Sequence, residues 1–320
     1  MTLASFDTLA TGLKFPEGPI AMADGSVLLV EIGAGQLTRV HADGRVETVA
    51  RTGGGPNGAA LGPDGACYVC NNGGFEWKSA GEGQMIPAGR AHDYAGGRIE
   101  RVDLASGRVE RLHDRSLTHT LSGPNDIVFD HTGGCWFTDL GHIGEDSIER
   151  GRICYAPAGG GTPRVAVQPM LTPNGIGLSP DGRTLYAVET VTARLWAFDV
   201  AAPGELALRQ VPPAINPGRL LYAAPHDCMF DSLAVEAGGN VCIATIGVAG
   251  QTTPGGAGIT VVAPDGSLVE HVYLPDRATT NICFGGPDLR TAFITQSRTG
   301  RLLAVPWARP GLALHFGGGR

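Results

Sequence analysis

The sequence predicts an all-β fold, a six-bladed β-propeller with four-stranded blades, and three observations carry that prediction. Six related segments recur along the 320 residues: Phe15-Pro16-Glu17-Gly18-Pro19, Gly55-Pro56-Asn57-Gly58, Gly123-Pro124-Asn125-Asp126, Thr172-Pro173-Asn174-Gly175, Met229-Phe230-Asp231-Ser232 and Thr279-Thr280-Asn281-Ile282. Their polar anchors, Glu17, Asn57, Asn125, Asn174, Asp231 and Asn281, are 40, 68, 49, 57 and 50 residues apart, a blade period with loop insertions. Eight residues after each of the first five anchors stands a glycine (Gly25, Gly65, Gly133, Gly182, Gly239), with Pro287-Asp288 near that point in the sixth.

Each turn is followed by a short apolar run: Val27–Val30, Cys67–Val69, Cys135–Phe137, Thr184–Val188, Val241–Ile243 and Thr291–Ile294. A run, a Gly-containing turn and a second run read as a β-hairpin, here six times over. Second hairpins follow, as in Leu37–Val40, His41-Ala42-Asp43-Gly44 and Arg45–Val49, or Thr260–Val262, Asp265-Gly266 and Ser267–Val272. Four strands per unit result, forming a single domain over residues 1–320, with Ser5–Leu9 supplying the outer strand of the last blade. The glycine-rich stretches 159–161 and 250–258 read as loops within blades. The long insertion Asn71–Gly97 carries Phe75, Trp77, Met85 and Tyr94 and is long enough to lie over the channel mouth as a lid.

Composition sets the partner class. The chain is 42% apolar, enough for a sizeable core, and its 49 Gly and 22 Pro argue against long helices. A net charge of −7 with no basic run excludes nucleic acid and anionic lipid, and no apolar stretch is long enough to span a membrane. A small-molecule partner, a monomer or small homo-oligomer and a cytoplasmic location are expected. Seven thinly spread cysteines suit reduced thiols. Cys67 and Cys70, three apart on a strand, point to opposite faces and read as packing rather than as a metal pair.

The innermost strand of every blade lines the axis, so the six anchors form a ring. The residues fourteen or fifteen further on, Glu31, Asn71, Asp139, Glu189, Thr245 and Thr295, return beside it as a second polar shell. Two carboxylates and four amides around one axis are costly to bury unless a cation satisfies their oxygens. One divalent metal ion does so. An oxygen-rich set selects a hard ion, Ca²⁺ first, with Mg²⁺ or Mn²⁺ as substitutes and Zn²⁺ compatible where two carboxylates meet. Asn and Asp after Pro also serve to start turns, a plainer role open to Asn57 and Asn281; Glu17 has no such role.

The Phe-Pro-Glu-Gly-Pro segment at Phe15, Pro124-Asn125-Asp126 with Trp136-Phe137-Thr138-Asp139 behind it, and Pro173-Asn174-Gly175-Ile176 followed by Ser179-Pro180-Asp181-Gly182 together resemble the senescence-marker-protein, gluconolactonase and regucalcin-like family, and the related drug-responsive bacterial lactonases. The resemblance runs from Phe15 to about Pro306. It implies one divalent metal at the channel mouth, bound by Glu17, Asn174 and Asp231, with Asn125 as a further ligand or substrate contact and Asp231-Ser232 matching an Asp-Ser pair of the drug-responsive enzymes. Two departures stand out. His226-Asp227-Cys228-Met229-Phe230-Asp231-Ser232 replaces a common Pro-Asp-Gly and leaves Asp227 as the rival ligand, although the count to Gly239 favours Asp231. Asp139-Leu140-Gly141-His142 replaces a Pro-rich run and bears on substrate choice.

A metal with open positions can polarise a carbonyl and acidify water, which opens an ester. Lactone hydrolysis is the expected activity, with Asp231 as general base and Asn57 and Asn125 donating to substrate hydroxyls or to the oxyanion. His142 and His226, and after them His92, stand near the same face, each an acid, a base or a substrate contact, or in the plainer reading a surface imidazole. No Gly-x-Ser-x-Gly elbow supports a serine nucleophile. The alternatives are the same metal site used for phosphotriester hydrolysis or for hydration and elimination, and a non-catalytic metal-binding propeller.

Overall fold

The computed structural model describes residues 5–213, 215–225, 227–248 and 256–317. Six antiparallel sheets follow one another along the chain. Their innermost strands are Pro16–Ala21, Pro56–Leu61, Pro124–Phe129, Pro173–Leu178, Met229–Val235 and Thr279–Gly285, so every anchor lies at the start of one. Each innermost strand packs against the next, and the last returns to the first, closing a six-bladed β-propeller. The final blade takes its outer strand from the N-terminus: Asp7–Ala10 pairs with Arg301–Pro306. Ring closure by that segment is as the sequence predicts.

Alternation along each strand sends side chains to opposite faces of the blade, and each face packs on a neighbour. Six apolar layers result, one per interface. In the strand Cys135–Asp139, Trp136 enters the layer shared with the fourth blade, while Cys135 and Phe137 enter the layer shared with the second. Cys67 and Cys70 separate in the same way and are buried thiols.

Two blades depart from the simple plan. In the fourth, the outer strand comes in two pieces, Glu205–Ala207 and Arg219–Ala223, both paired with Arg194–Ala202. In the second, the insertion folds as a hairpin of Phe75–Gly81 with Gln84–Arg90. This hairpin reaches the sixth blade, where Arg298 donates from Nε to Gln84 Oε1 at 2.8 Å and from Nη2 to the Ala80 carbonyl at 3.1 Å. Trp77 packs on Phe15 of the first blade with ring centroids 5.1 Å apart, while Tyr94 leans the other way and donates to the Ser122 carbonyl. Gly159–Gly161 lies in a turn between strands, as expected; most of the other glycine-rich stretch, 249–255, lies outside the described residues.

At the far end the channel becomes an apolar cavity of about 140 Å³, closed by Leu312–Gly317. That segment is fixed by Glu236, whose carboxylate accepts from Trp307 Nε1 at 2.7 Å and from Arg309 Nε at 2.6 Å. Phe316 then meets Phe129 edge to face. No helix among the described residues is long and apolar enough to cross a membrane.

Candidate functional site

The geometry of the ring begins with a defect repeated in every blade. The register of each innermost strand with the second shifts at the anchor, between Glu17 and Ile20, Pro56 and Ala59, Pro124 and Ile127, Pro173 and Ile176, Phe230 and Leu233, and Thr279 and Asn281. A bulge bends a strand and re-aims the side chains beside it. The residue after the anchor then meets the neighbouring backbone. A Cβ on Gly18 would lie 2.7 Å from the Asn57 carbonyl oxygen, one on Gly58 2.4 Å from the Asn125 carbonyl, and one on Gly175 2.6 Å from the Leu233 nitrogen. Glycine is needed there for close approach.

Two residues that lead into anchors, Phe15 at φ 56° and Thr172 at φ 50°, are left-handed without being glycine. Such backbone costs on the order of 1–3 kcal/mol each and gathers where surrounding structure fixes a functional position.

Glu17 is buried, and its Oε2 accepts from Asn281 Nδ2 at 2.8 Å and from the Gly18 N–H at 3.0 Å. Burial raises its pKa, opposed by hydrogen bonds from Thr280, Asn281 and Gly18. Asp231, which keeps some exposure, has its pKa pushed well above the carboxylate range by desolvation and then by the charge of Glu17; a hydrogen bond with Asn174 opposes the shift. Asn174 is held by Nδ2 donating to Thr190 Oγ1 at 3.0 Å, with Ser232 Oγ 3.5 Å from its Oδ1. Asp231 is thus near enough to interact with both Glu17 and Asn174.

Sequence reasoning missed Asp126. Its carboxyl is buried beside the others, accepts from the Ile127 N–H at 2.9 Å, and is pushed up to about 7 by desolvation, with the Glu17 charge adding to the shift. A signal was available: the first, second and fourth blades have glycine at this register. Three carboxylates therefore share the axis, and among the described residues none forms an ion pair; Arg98, Arg152 and Arg309 are paired with Glu100, Asp139 and Glu236 instead.

Asn125 is buried, and its Oδ1 finds no hydrogen-bond donor among the described residues. Orphaned buried acceptors are rare and call for an explanation. An orphaned carbonyl oxygen one residue before Asp126, with three uncompensated carboxylates near one another, is the chemistry of a hard-cation site, so the donor set fits such an ion. Among the described residues, no group of three or more His, Cys, Asp or Glu side chains is set to hold a metal; the fit depends on amide oxygens.

The expected second shell has another task. Glu31 accepts from the Lys14 N–H, Asn71 from that of Gly55, Asp139 from those of Ser122 and Gly123, and Glu189 from that of Leu171. Each ties down the segment leading to its own anchor. Thr245 and Thr295 bond Thr260 and Thr280.

Asn57 is buried at the ring. His142 Nε2 donates to the Ser122 carbonyl at 3.0 Å, and its ring stands edge-on to Tyr94. Desolvation, then the charge of Arg90, lowers its pKa, so a neutral imidazole braces the segment leading to Asn125. His92 is exposed, Asp227 has a left-handed backbone outside the bulge, and His226 lies outside the described residues.

Residues 15–298 match the family described as the SMP-30/gluconolactonase/LRE-like region. Among similar proteins is a gluconolactonase of Zymomonas mobilis, 23% identical over 91% of this chain and 78% of its own length. Another is the diisopropyl-fluorophosphatase of Loligo vulgaris, 26% identical over 71% of this chain and 73% of its own. In three dimensions the chain resembles a calcium-binding regucalcin from Agrobacterium tumefaciens, with a TM-score of 0.69, 18% identity and coverage of 98% and 100%, a likeness of fold. With its ring, its bulged anchors and a match over most of its length, the chain belongs to the SMP-30/gluconolactonase/LRE-like family.

Proposed function

We propose that the protein is a hydrolase that opens a lactone at the ring of anchors with the help of one divalent cation. The single observation that carries the reading is the set of Glu17 and Asp126, both buried, with the partly buried Asp231, a set that forms no ion pair among the described residues, and the orphaned Oδ1 of Asn125 one residue before Asp126. An uncompensated buried carboxylate costs several kcal/mol, a penalty that a bound cation offsets. Glu17, Asn174, Asp231 and Asn125 would hold it, and the regucalcin likeness, named as calcium-binding, supports Ca²⁺ first. When bound, such an ion supplies Lewis acidity to the ester.

The chain's own groups supply the rest. Asp231, its pKa raised by burial and then by the charge of Glu17, takes a proton from the attacking water. The water oxygen bonds to the carbonyl carbon, the ring C–O bond breaks, and the proton passes to the departing alkoxide to give a hydroxy acid. Asn57 and Asn125 can donate amide hydrogens to the oxyanion or to substrate hydroxyls. Asn174, pinned by Thr190, keeps Asp231 oriented. The gluconolactonase relative favours a sugar-type lactone.

A second reading, hydrolysis of a phosphorus ester at the same site, is supported by the fluorophosphatase relative. A panel of lactones and one organophosphate ester, assayed on metal-stripped and reconstituted protein, separates the two. Cation-dependent opening of at least one lactone is expected; turnover of the phosphorus ester alone favours the second reading, and no turnover leaves a non-catalytic propeller.

A further inference from the structure

Beside the ring, on the face that carries the anchors, a cleft of about 270 Å³ opens between the third and fourth blades. Met170, Leu171 and Ile215 give it apolar walls, and Arg150 and Arg194 line it. Both arginines are exposed, and among the described residues neither forms an ion pair, unlike Arg152 two residues from the first, which is held by Asp139 at 3.2 Å.

The carboxylate lining the cleft does not cancel them. Glu189 is buried and turned to its own loop, with Oε1 accepting from the Leu171 N–H at 2.8 Å and Oε2 from Thr192 Oγ1 at 2.9 Å. Two guanidinium groups without partners therefore stand against one carboxylate whose oxygens are already bonded. One lining residue also ties the cleft to the ring through the backbone. Glu189 is the strand partner of Pro173, which precedes Asn174, and the next residue, Thr190, accepts from the Asn174 amide.

We propose that this cleft binds an oxyanion group of the molecule acted on at the ring, so that the substrate is an acidic lactone carrying a carboxylate or a phosphate. The proposal rests on the lactonase reading for the identity of the substrate, but not for the binding of an anion. Planar guanidinium forks match the oxygens of either group. The apolar walls suit the carbon chain that joins such a group to the ester, and Leu171 and Ile215, exposed at 39% and 52%, gain cover when it is seated.

The experiment uses the full chain and the double variant Arg150→Gln/Arg194→Gln, first shown to melt as the parent does. Three lactones are compared: neutral, carboxylate-bearing and phosphate-bearing. For the anionic members kcat/KM should fall about tenfold, through KM, with the neutral lactone unchanged. Their advantage in the parent protein should shrink as salt is added. Which anionic lactone loses more identifies the group. Equal loss on all three, or no change in their ratio, overturns the proposal. Inorganic phosphate and acetate titrated calorimetrically into both proteins read the cleft without turnover: weaker binding to the variant supports the proposal, and equal or absent binding counts against it. If no lactone is opened, the lactonase reading falls, while the calorimetry still decides the cleft.

Discussion

Asn281 donates from Nδ2 to Glu17 Oε2 at 2.8 Å, a bond between residues 264 apart in sequence that joins the last blade to the first at the level of the site. The Gly18 N–H reaches the same oxygen, and Thr280 also hydrogen-bonds the carboxylate. These bonds fix the charge that raises both Asp231 and Asp126.

Asp126 makes a stability prediction with a definite sign. Its folded pKa of about 7 lies above the ordinary 3.8, so the folded state binds the proton more tightly and stability falls as pH rises from about 4 to about 7. In cation-free protein, Asp126→Asn should raise stability at pH 8, by up to about 4 kcal/mol from a shift of roughly three units, and have little effect at pH 4. Urea denaturation at both pH values checks this; an equal effect at the two would refute it.

His271 behaves oppositely at acid pH. It is buried, its Nδ1 lies 3.0 Å from Thr260 Oγ1, and desolvation lowers its pKa to about 4. The unfolded chain therefore binds the proton more tightly, and stability should be lost as pH falls from about 6.5 toward 4, by roughly 3 kcal/mol. His271→Leu should flatten that window in a series of melts, and an unchanged slope would assign it to other groups.

The close approach of the strands predicts that Gly58→Ala is harmful. Its Cβ would press on the Asn125 carbonyl and on the Asp126 Cα at 2.6 Å, both backbone atoms that cannot swing aside. Overpacking of this kind costs about 1–3 kcal/mol. The melt should drop and activity fall with it, whereas Gly238→Ala, at a turn with open space and no left-handed backbone, should leave both intact.

How far the sequence goes depends on what repeats. The blade pattern was legible because Pro-Asn or Pro-Glu, a Gly eight residues on and a β run recur, and six apolar layers then follow from alternation. Glu17, Asn174 and Asp231 were legible as one register. Asp126 was not, because the preceding Asn125 already fills the anchor register of its blade, although glycine at the next register in three other blades marks Asp126 as unusual. For Glu31 and Glu189 the position was right and the direction was not: a strand end brings a carboxylate beside the ring, but unsatisfied N–H groups of the neighbouring loop decide where it points. The closure of the channel by Leu312–Gly317 had no repeat to announce it.

The ligand roles separate by rescue. Glu17→Gln keeps an oxygen and loses a charge, so activity should fall mainly through cation affinity and recover in part with excess Ca²⁺. Asp231→Asn should also lose the base, a further ~10²–10⁴ in rate that no cation restores. Comparable recovery of both variants would leave Asp231 a plain ligand and turn attention to His142 or His226.

The central claim is that the uncompensated carboxylates hold a cation used to open a lactone. Its most direct test is the rate of opening of a sugar lactone, followed by acid release, on protein stripped with chelator and then titrated with Ca²⁺, Mg²⁺, Mn²⁺ and Zn²⁺. The account predicts near-complete loss on stripping and saturable recovery at one ion per chain. Undiminished hydrolysis by protein shown to be free of metal, or no hydrolysis at any cation concentration, would contradict it.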